Sequence, residues 1–408
     1  MVASVGLAKI QIASATVVGA ALLLSACSLV QNADGGSSGE TVSAEVEAVA
    51  KAEKAEKEPP EISVKNGSKK HNPYEPVKVT SAGKGLKSVT MSNEAGYVVA
   101  EKLSADGNTW TSAETLGYNR TYTVVAEDNN GQKNTVKFST PTMNAQTTAA
   151  LSPLEGSEVG VGQTIATRFE VPVADRKAAQ DAIEIVTTPH VDAAFYWVNN
   201  YEVRWRPQYY WEPGTKVEVK VKLKGVDLGN GVFGSADNST TFTIGDRVVA
   251  IVDDYTKSME VWRNKKLLRT IPVSLGTDGG RWATPNGRYI IGDQHEQLLM
   301  DSSTFGYSVE EGGYKTMVNY ATQMSYSGIY VHGAPWSEWA QGNTNTSHGC
   351  VNVTDSAAKW FMENTKRGDI VRVKNTTGPT LSPLDGLGDW NMSWEKWSAG
   401  NADEGPAS

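Results

Sequence analysis

Cys350 stands in the run Ser347-His348-Gly349-Cys350-Val351-Asn352, and the only other thiol in the chain is Cys27. By residue type, Cys350 is the best nucleophile the sequence offers. It lies in a polar, glycine-containing turn, whereas Cys27 sits at the end of an N-terminal apolar run. A free thiol has a pKa of about 8.5, so nucleophilic work at neutral pH needs a nearby imidazole. Two are available. His348 is two residues away and in an extended segment would share the face of Cys350. His332 ends the run Gly328-Ile329-Tyr330-Val331-His332 and would approach from a separate strand across a cleft. Gly349 lets the backbone come close to a substrate, with N–H groups free to hold an oxyanion. A buried structural cysteine beside incidental histidines is the competing reading, and spacing alone does not separate the two.

Other chemistries fit the chain poorly. Two cysteines cannot build a Cys-rich zinc site, and His71, His190, His295, His332 and His348 show no zinc-ligand spacing. No metal and no cofactor are therefore expected. The chain carries 38 Lys and Arg against 46 Asp and Glu, a net charge of −8 without a basic block, which argues against nucleic acid as a partner.

The elements that must position Cys350 are read as mostly β. The chain has 408 residues, enough for two or three domains, with 39 Gly and 12 Trp and many short runs between turns. Strands are expected at 86–91, 97–100 and 122–126, with turns at 105–108 and 128–131, the spacing of a β-sandwich. A second module opens near Leu151, with strands at 164–169, 203–205, 216–223 and 240–244 and one short helix over 174–183. Its Trp197, Trp205, Tyr209, Tyr210 and Trp211 read as core and corner aromatics; a sugar-binding platform is the alternative. A third module starts with a buried-looking strand at 247–254 and continues through 260–262 and 268–273.

The amino terminus reads as an address. One positive charge precedes a compact apolar run over 15–24, too short for a comfortable membrane span. Leu24-Ser25-Ala26-Cys27 follows and resembles a bacterial lipobox, which implies lipidation of Cys27; an ordinary secretory signal cleaved near Ala26 is the alternative. Either places the mature chain outside the cytoplasm. The stretch to about Pro60 holds no aromatic residue and reads as a tether, about 30 Å r.m.s. for 33 residues.

His332-Gly333-Ala334-Pro335-Trp336, followed sixteen positions later by His348 within Ser347-His348-Gly349-Cys350-Val351-Asn352, resembles the signature of the L,D-transpeptidases with a YkuD-type catalytic domain. The segments at 301–306, 313–315, 321–323, 365–370 and 385–391 also look like that family, and the whole is similar to mycobacterial-type members. The resemblance implies a mostly β fold: two immunoglobulin-like sandwiches, a β-rich catalytic domain and a short Trp-containing tail. The corresponding divisions are 1–26 lipoprotein signal peptide, 27–60 tether, 61–145 and 146–246 immunoglobulin-like domains, 247–374 catalytic domain and 375–408 tail.

It also implies roles. Cys350 attacks the carbonyl between diaminopimelate and D-alanine of a tetrapeptide stem, and His332 takes the thiol proton. The carbonyl of Gly333 orients the imidazole, while Gly349 and Cys350 N–H groups and the Tyr314 hydroxyl hold the oxyanion. An amine of a neighbouring stem then resolves the thioester into a 3→3 peptidoglycan crosslink. A carboxypeptidase using water, an enzyme attaching proteins to the wall and a non-catalytic wall-binding scaffold are the alternatives. His348 shapes the site and Asn352 stabilises the turn. Met300, Phe305, Ser327, Gly328, Tyr330, Trp336, Thr346 and Ser347 line the substrate channels. Peptidoglycan stems, a membrane reached through Cys27 and carbapenem-type β-lactams as covalent inhibitors are the partners implied. Two positions depart from the pattern. Gly333 stands where relatives commonly carry Ser, leaving the backbone freer, and Phe305 replaces a frequent Tyr. Trp390, Trp394 and Trp397 in the tail are spaced to share a face, for docking on the preceding sandwich or, alternatively, on a membrane.

Overall fold

The computed structural model describes residues 58–404 except 307. The signal peptide, Cys27, the tether up to residue 57 and the side chain of Phe305 lie outside the described residues.

The first module is a sandwich of a four-stranded sheet and the three-stranded sheet Leu86–Asn93, Thr121–Asp128 and Lys133–Ser139. Its packing follows from period-2 alternation: Tyr122, Val124 and Ala126 point inward from one strand onto Trp110 and Phe138. Residues 97–100 do not form the expected strand. The Asn93 side chain accepts from the N–H groups of Ala95 and Tyr97, a local turn that competes with the ladder. Only a bridge from Ser92 to Val98 remains, and the strand is displaced to Glu101–Leu103.

The second module packs two four-stranded sheets around Trp197, Trp205 and Trp211. Those three indoles are core, whereas Tyr209 is exposed, so the run builds no continuous aromatic platform. The short helix is Arg176–Asp181. The strands Ile183–Thr188 and Ala193–Asn199 add to the expected set. Strand Glu202–Pro207 is buried at every position. Val203 and Trp205 face the core, and the alternate residues Glu202, Arg204 and Arg206 face outward under the C-terminal tail.

The tail is docked on this sandwich. Arg206 places its guanidinium 4.6, 5.7 and 4.4 Å from the ring centres of Trp390, Trp394 and Trp397. Arg204 donates to Asp389 at 2.7 Å and to Glu202 at 2.6 Å, which neutralises a buried guanidinium. Among the described residues no helix is long and apolar enough to cross a membrane.

The third module holds two sheets. One is centred on Val248–Asp253, flanked by Ser258–Arg263 and, in parallel, Ile370–Lys374. The other runs Gln294–Asp301, Lys315–Gln323, Tyr330–Gly333, Val351–Val353 in spatial order. Helix Asp355–Asn364 starts at Thr354, whose hydroxyl caps the Ala357 N–H at 3.2 Å, and buries Ala357, Ala358 and Phe361 in the shared core.

Candidate active site

The site is set by one short parallel pair. Val331 faces Val351, and both point into the core. Alternation then turns Tyr330 and His332, and across from them Cys350 and Asn352, to the opposite face. On that face Cys350 packs with Met300, Val318, Ala321, Tyr330 and Tyr314. The result is a cleft of about 430 Å³ whose wall includes Cys350, His332, Tyr314, Met300, Trp336 and His348. Thr346, Ser347 and Asn352 also line it.

The turn before Cys350 is closed by a serine. Ser347 Oγ donates to the Cys350 carbonyl at 2.6 Å and accepts from the Gly349 N–H at 3.1 Å. Ser347 is therefore a turn-closing residue on the wall of the cleft, and the Gly349 N–H, expected as an oxyanion donor, already has a partner. Gly349 has φ +121, a backbone state that requires glycine. Asn352 braces the neighbouring segment rather than the turn: its Nδ2 donates to Ser337 Oγ at 3.1 Å, and its backbone pairs both ways with Ser274.

His332 is buried, and its Nδ1 lies 2.8 Å from the Gly333 carbonyl. A carbonyl only accepts, so Nδ1 carries the proton and Nε2 is left with its lone pair. Burial holds the imidazole below its usual pKa, against smaller opposing contributions from the Gly333 carbonyl and Asp355. Burial likewise pushes the Cys350 thiol up to about 12, with a weaker downward pull from the Tyr330 N–H. The sulfur donates to the Gly328 carbonyl at 3.6 Å. Among the described residues no hydrogen bond joins it to His332. The resting pair is thus a neutral thiol and a neutral base. Transfer requires the thiol to turn from Gly328 towards Nε2.

Tyr314 is half-buried, and burial keeps its hydroxyl protonated. It is therefore a hydrogen-bond donor at neutral pH. Its ring lies 5.0 Å from that of His348, which in turn meets Trp282 edge-on at 4.6 Å. His348 is exposed and engages these rings.

Family models match the chain in two places: a bacterial Ig domain over residues 68–227 and an L,D-transpeptidase catalytic domain over 247–373. L,D-transpeptidase 2 of Mycobacterium tuberculosis (strain CDC 1551 / Oshkosh) is 50% identical over 331 residues, covering 80% of this chain and 81% of that one. The chain belongs to the L,D-transpeptidase family. L,D-transpeptidase 5 of Mycobacterium tuberculosis (strain ATCC 25618 / H37Rv) is 30% identical over 346 residues, covering 82% of this chain and 75% of its own. A solved structure of the LD transpeptidase LdtMt1 in complex with imipenem is 34% identical, covers 56% of this chain and 99% of that one, and has a TM-score of 0.49.

This L,D-transpeptidase has a second cavity, of about 340 Å³, that shares Tyr314 and His348 with the first and is lined further by Ser327, Gly328 and Gly349. Sequence reading missed several contributors. Thr316 lines the first cleft, and its alternation with Tyr314 was the available signal. Arg281 and Trp282 wall the second cavity from a loop with no recognisable motif. Asn345 holds the turn from outside, accepting from the Leu275 N–H at 3.1 Å and donating to Asp254 at 2.9 Å.

Proposed function

We propose that this L,D-transpeptidase forms 3→3 crosslinks in peptidoglycan through a Cys350 thioester. The observation that carries the reading is the convergence of Cys350, a buried neutral His332 with a free Nε2, and the Tyr314 hydroxyl on one cleft, with a second cavity meeting it at Tyr314 and His348. His332 Nε2 takes the thiol proton while sulfur attacks the carbonyl carbon between diaminopimelate and D-alanine. The carbonyl π pair moves to oxygen, held by the Tyr314 hydroxyl and the Cys350 N–H. Collapse breaks the C–N bond, and the departing D-alanine amine takes the proton from Nε2. A diaminopimelate side-chain amine entering from the other cavity attacks the thioester and gives its proton to Nε2. The thiolate leaves and recovers that proton.

The same chemistry opens a β-lactam, so a carbapenem acylates Cys350 and stays as one adduct. The sequence Leu24-Ser25-Ala26-Cys27 supports lipidation of Cys27 and a membrane-tethered enzyme facing the wall. Incubation with a disaccharide-tetrapeptide and mass spectrometry of the products tests the reading. A crosslinked dimer with released D-alanine is expected. A tripeptide monomer alone identifies a carboxypeptidase, and unchanged substrate identifies a scaffold.

A further inference from the structure

We propose that Asp355 is a positioning residue for His332, admitted to the back of the catalytic strand by the missing side chain at Gly333. The inference rests on His332 acting as the base. Gly333 is extended and outside the left-handed region, so conformational freedom does not explain it. Space does. A Cβ at position 333 would stand 1.9 Å from Asp355 Oδ1 and 2.9 Å from its Cγ, so the carboxylate occupies the place a serine or alanine side chain would take.

Adjacent strand residues point to opposite faces, which sets Asp355 against the peptide whose carbonyl receives the Nδ1–H of His332. The carboxylate is itself held from one side: Oδ2 accepts from Asn319 Nδ2 at 2.9 Å. Oδ1 is buried with no hydrogen-bond partner among the described residues. A desolvated, unpartnered carboxylate oxygen is costly unless something compensates it. The carboxylate acts on the imidazolium formed when His332 takes the thiol proton across the Gly333 peptide, not by direct contact.

The other titratable and charged groups around His332 are differently placed. The Cys350 thiol lies on the neighbouring strand and donates to Gly328. Tyr314 and His348 stand on another part of the cleft wall and contact each other. Tyr330, on the strand of His332, packs with Cys350. From helix Asp355–Asn364, Lys359 faces the Tyr320 ring at 5.9 Å. Glu338, on the segment after the strand, is exposed. Asp355 alone acts on the imidazole as a counter-charge, and it favours the protonated form against burial.

The test is the pH dependence of Cys350 acylation by imipenem, followed by intact mass on the full protein. Acylation falls at low pH as His332 becomes protonated. Asp355→Asn removes the counter-charge with little change of shape, so the acidic limb should move to lower pH by about half to one unit. The plateau rate should drop about threefold, for a Brønsted slope near 0.5. Asn319→Ala, which frees Asp355, should shift the limb the same way and serves if Asp355→Asn does not fold. Gly333→Ala should destabilise the protein by colliding with Asp355, and Gly333→Ala/Asp355→Ala should recover most of that loss. An unshifted limb in folded Asp355→Asn or Asn319→Ala, even with a lower melting temperature, makes Asp355 a mere packing residue and overturns the proposal. His332→Ala separates the two levels: if that variant keeps the acidic limb, the reading of His332 as base has failed instead.

Discussion

Replacement of Asp389 by Ala should loosen the tail from the second sandwich. Asp389 is fully buried, and Arg204 beneath it exposes 4% of its side chain. Arg204 Nη1 reaches both carboxylate oxygens, at 2.7 and 2.9 Å, and Thr164 Oγ1 donates to Oδ2 at 2.7 Å. Truncation leaves Arg204 with the Gly386 carbonyl and with Glu202, which also serves Arg168, and leaves the Thr164 hydroxyl without its acceptor. Breaking a buried ion pair from one side costs about 3–5 kcal/mol. At about 2–4 °C per kcal/mol for a unit of 150–250 residues, that is a fall of roughly 6–20 °C in the calorimetric transition. Asp389→Asn keeps one acceptor oxygen and should fall between. Hydrogen exchange at residues 202–206 should rise in step, because the tail covers the outward face of that strand. A shift below about 2 °C with unchanged exchange would refute the claim that the buried pair fastens the tail.

His332→Ala should reduce crosslinking by about 10²–10⁴-fold with the fold intact, whereas His348→Ala should act mainly through the shape of the wall it builds with Tyr314 and Trp282; rates on tetrapeptide substrate and circular dichroism separate the two. Burial raises the Asp369 carboxyl to about 7 in the folded protein, while an unfolded chain releases that proton near pH 4. The folded state therefore binds more protons between those values, and stability should fall as pH rises from about 4 to about 7. Asp369→Asn should flatten that slope and raise the melting temperature at pH 8, as read by scanning calorimetry. Cys27→Ala should abolish acylation of the precursor and release the protein from the membrane fraction, checked by fractionation and mass spectrometry; normal acylated protein from that variant would refute lipidation at Cys27.

Cys350 and His332 were legible as candidates, the thiol from its residue type and the histidine from the motif's resemblance to the family. Their mutual geometry was not. Period-2 alternation around Val331 and Val351 puts Cys350 and His332 on one face, but the pairing of those two strands is a long-range fact that local pattern does not carry. The neutral resting state was invisible for the same reason, since it follows from burial by Met300, Tyr330 and Tyr314. Gly333 was read as a looser backbone; the structure makes it a space for Asp355, a residue twenty-two positions away on a helix. In the sandwiches, alternation gave strands such as Thr121–Asp128, whereas the turn at Asn93 displaced one strand because a side chain captured the backbone donors. The fully buried strand Glu202–Pro207 has charged residues at every second position, a solvent-facing pattern that only the docked tail explains.

The most direct test of the central claim is product analysis of a purified disaccharide-tetrapeptide incubated with the protein and, in parallel, with Cys350→Ala. The thioester account predicts a 3→3 crosslinked dimer with one D-alanine released per crosslink, a transient substrate adduct mapping to Cys350, and neither product nor adduct from the variant. Dimer formation by Cys350→Ala, or an adduct at any other residue, would contradict it.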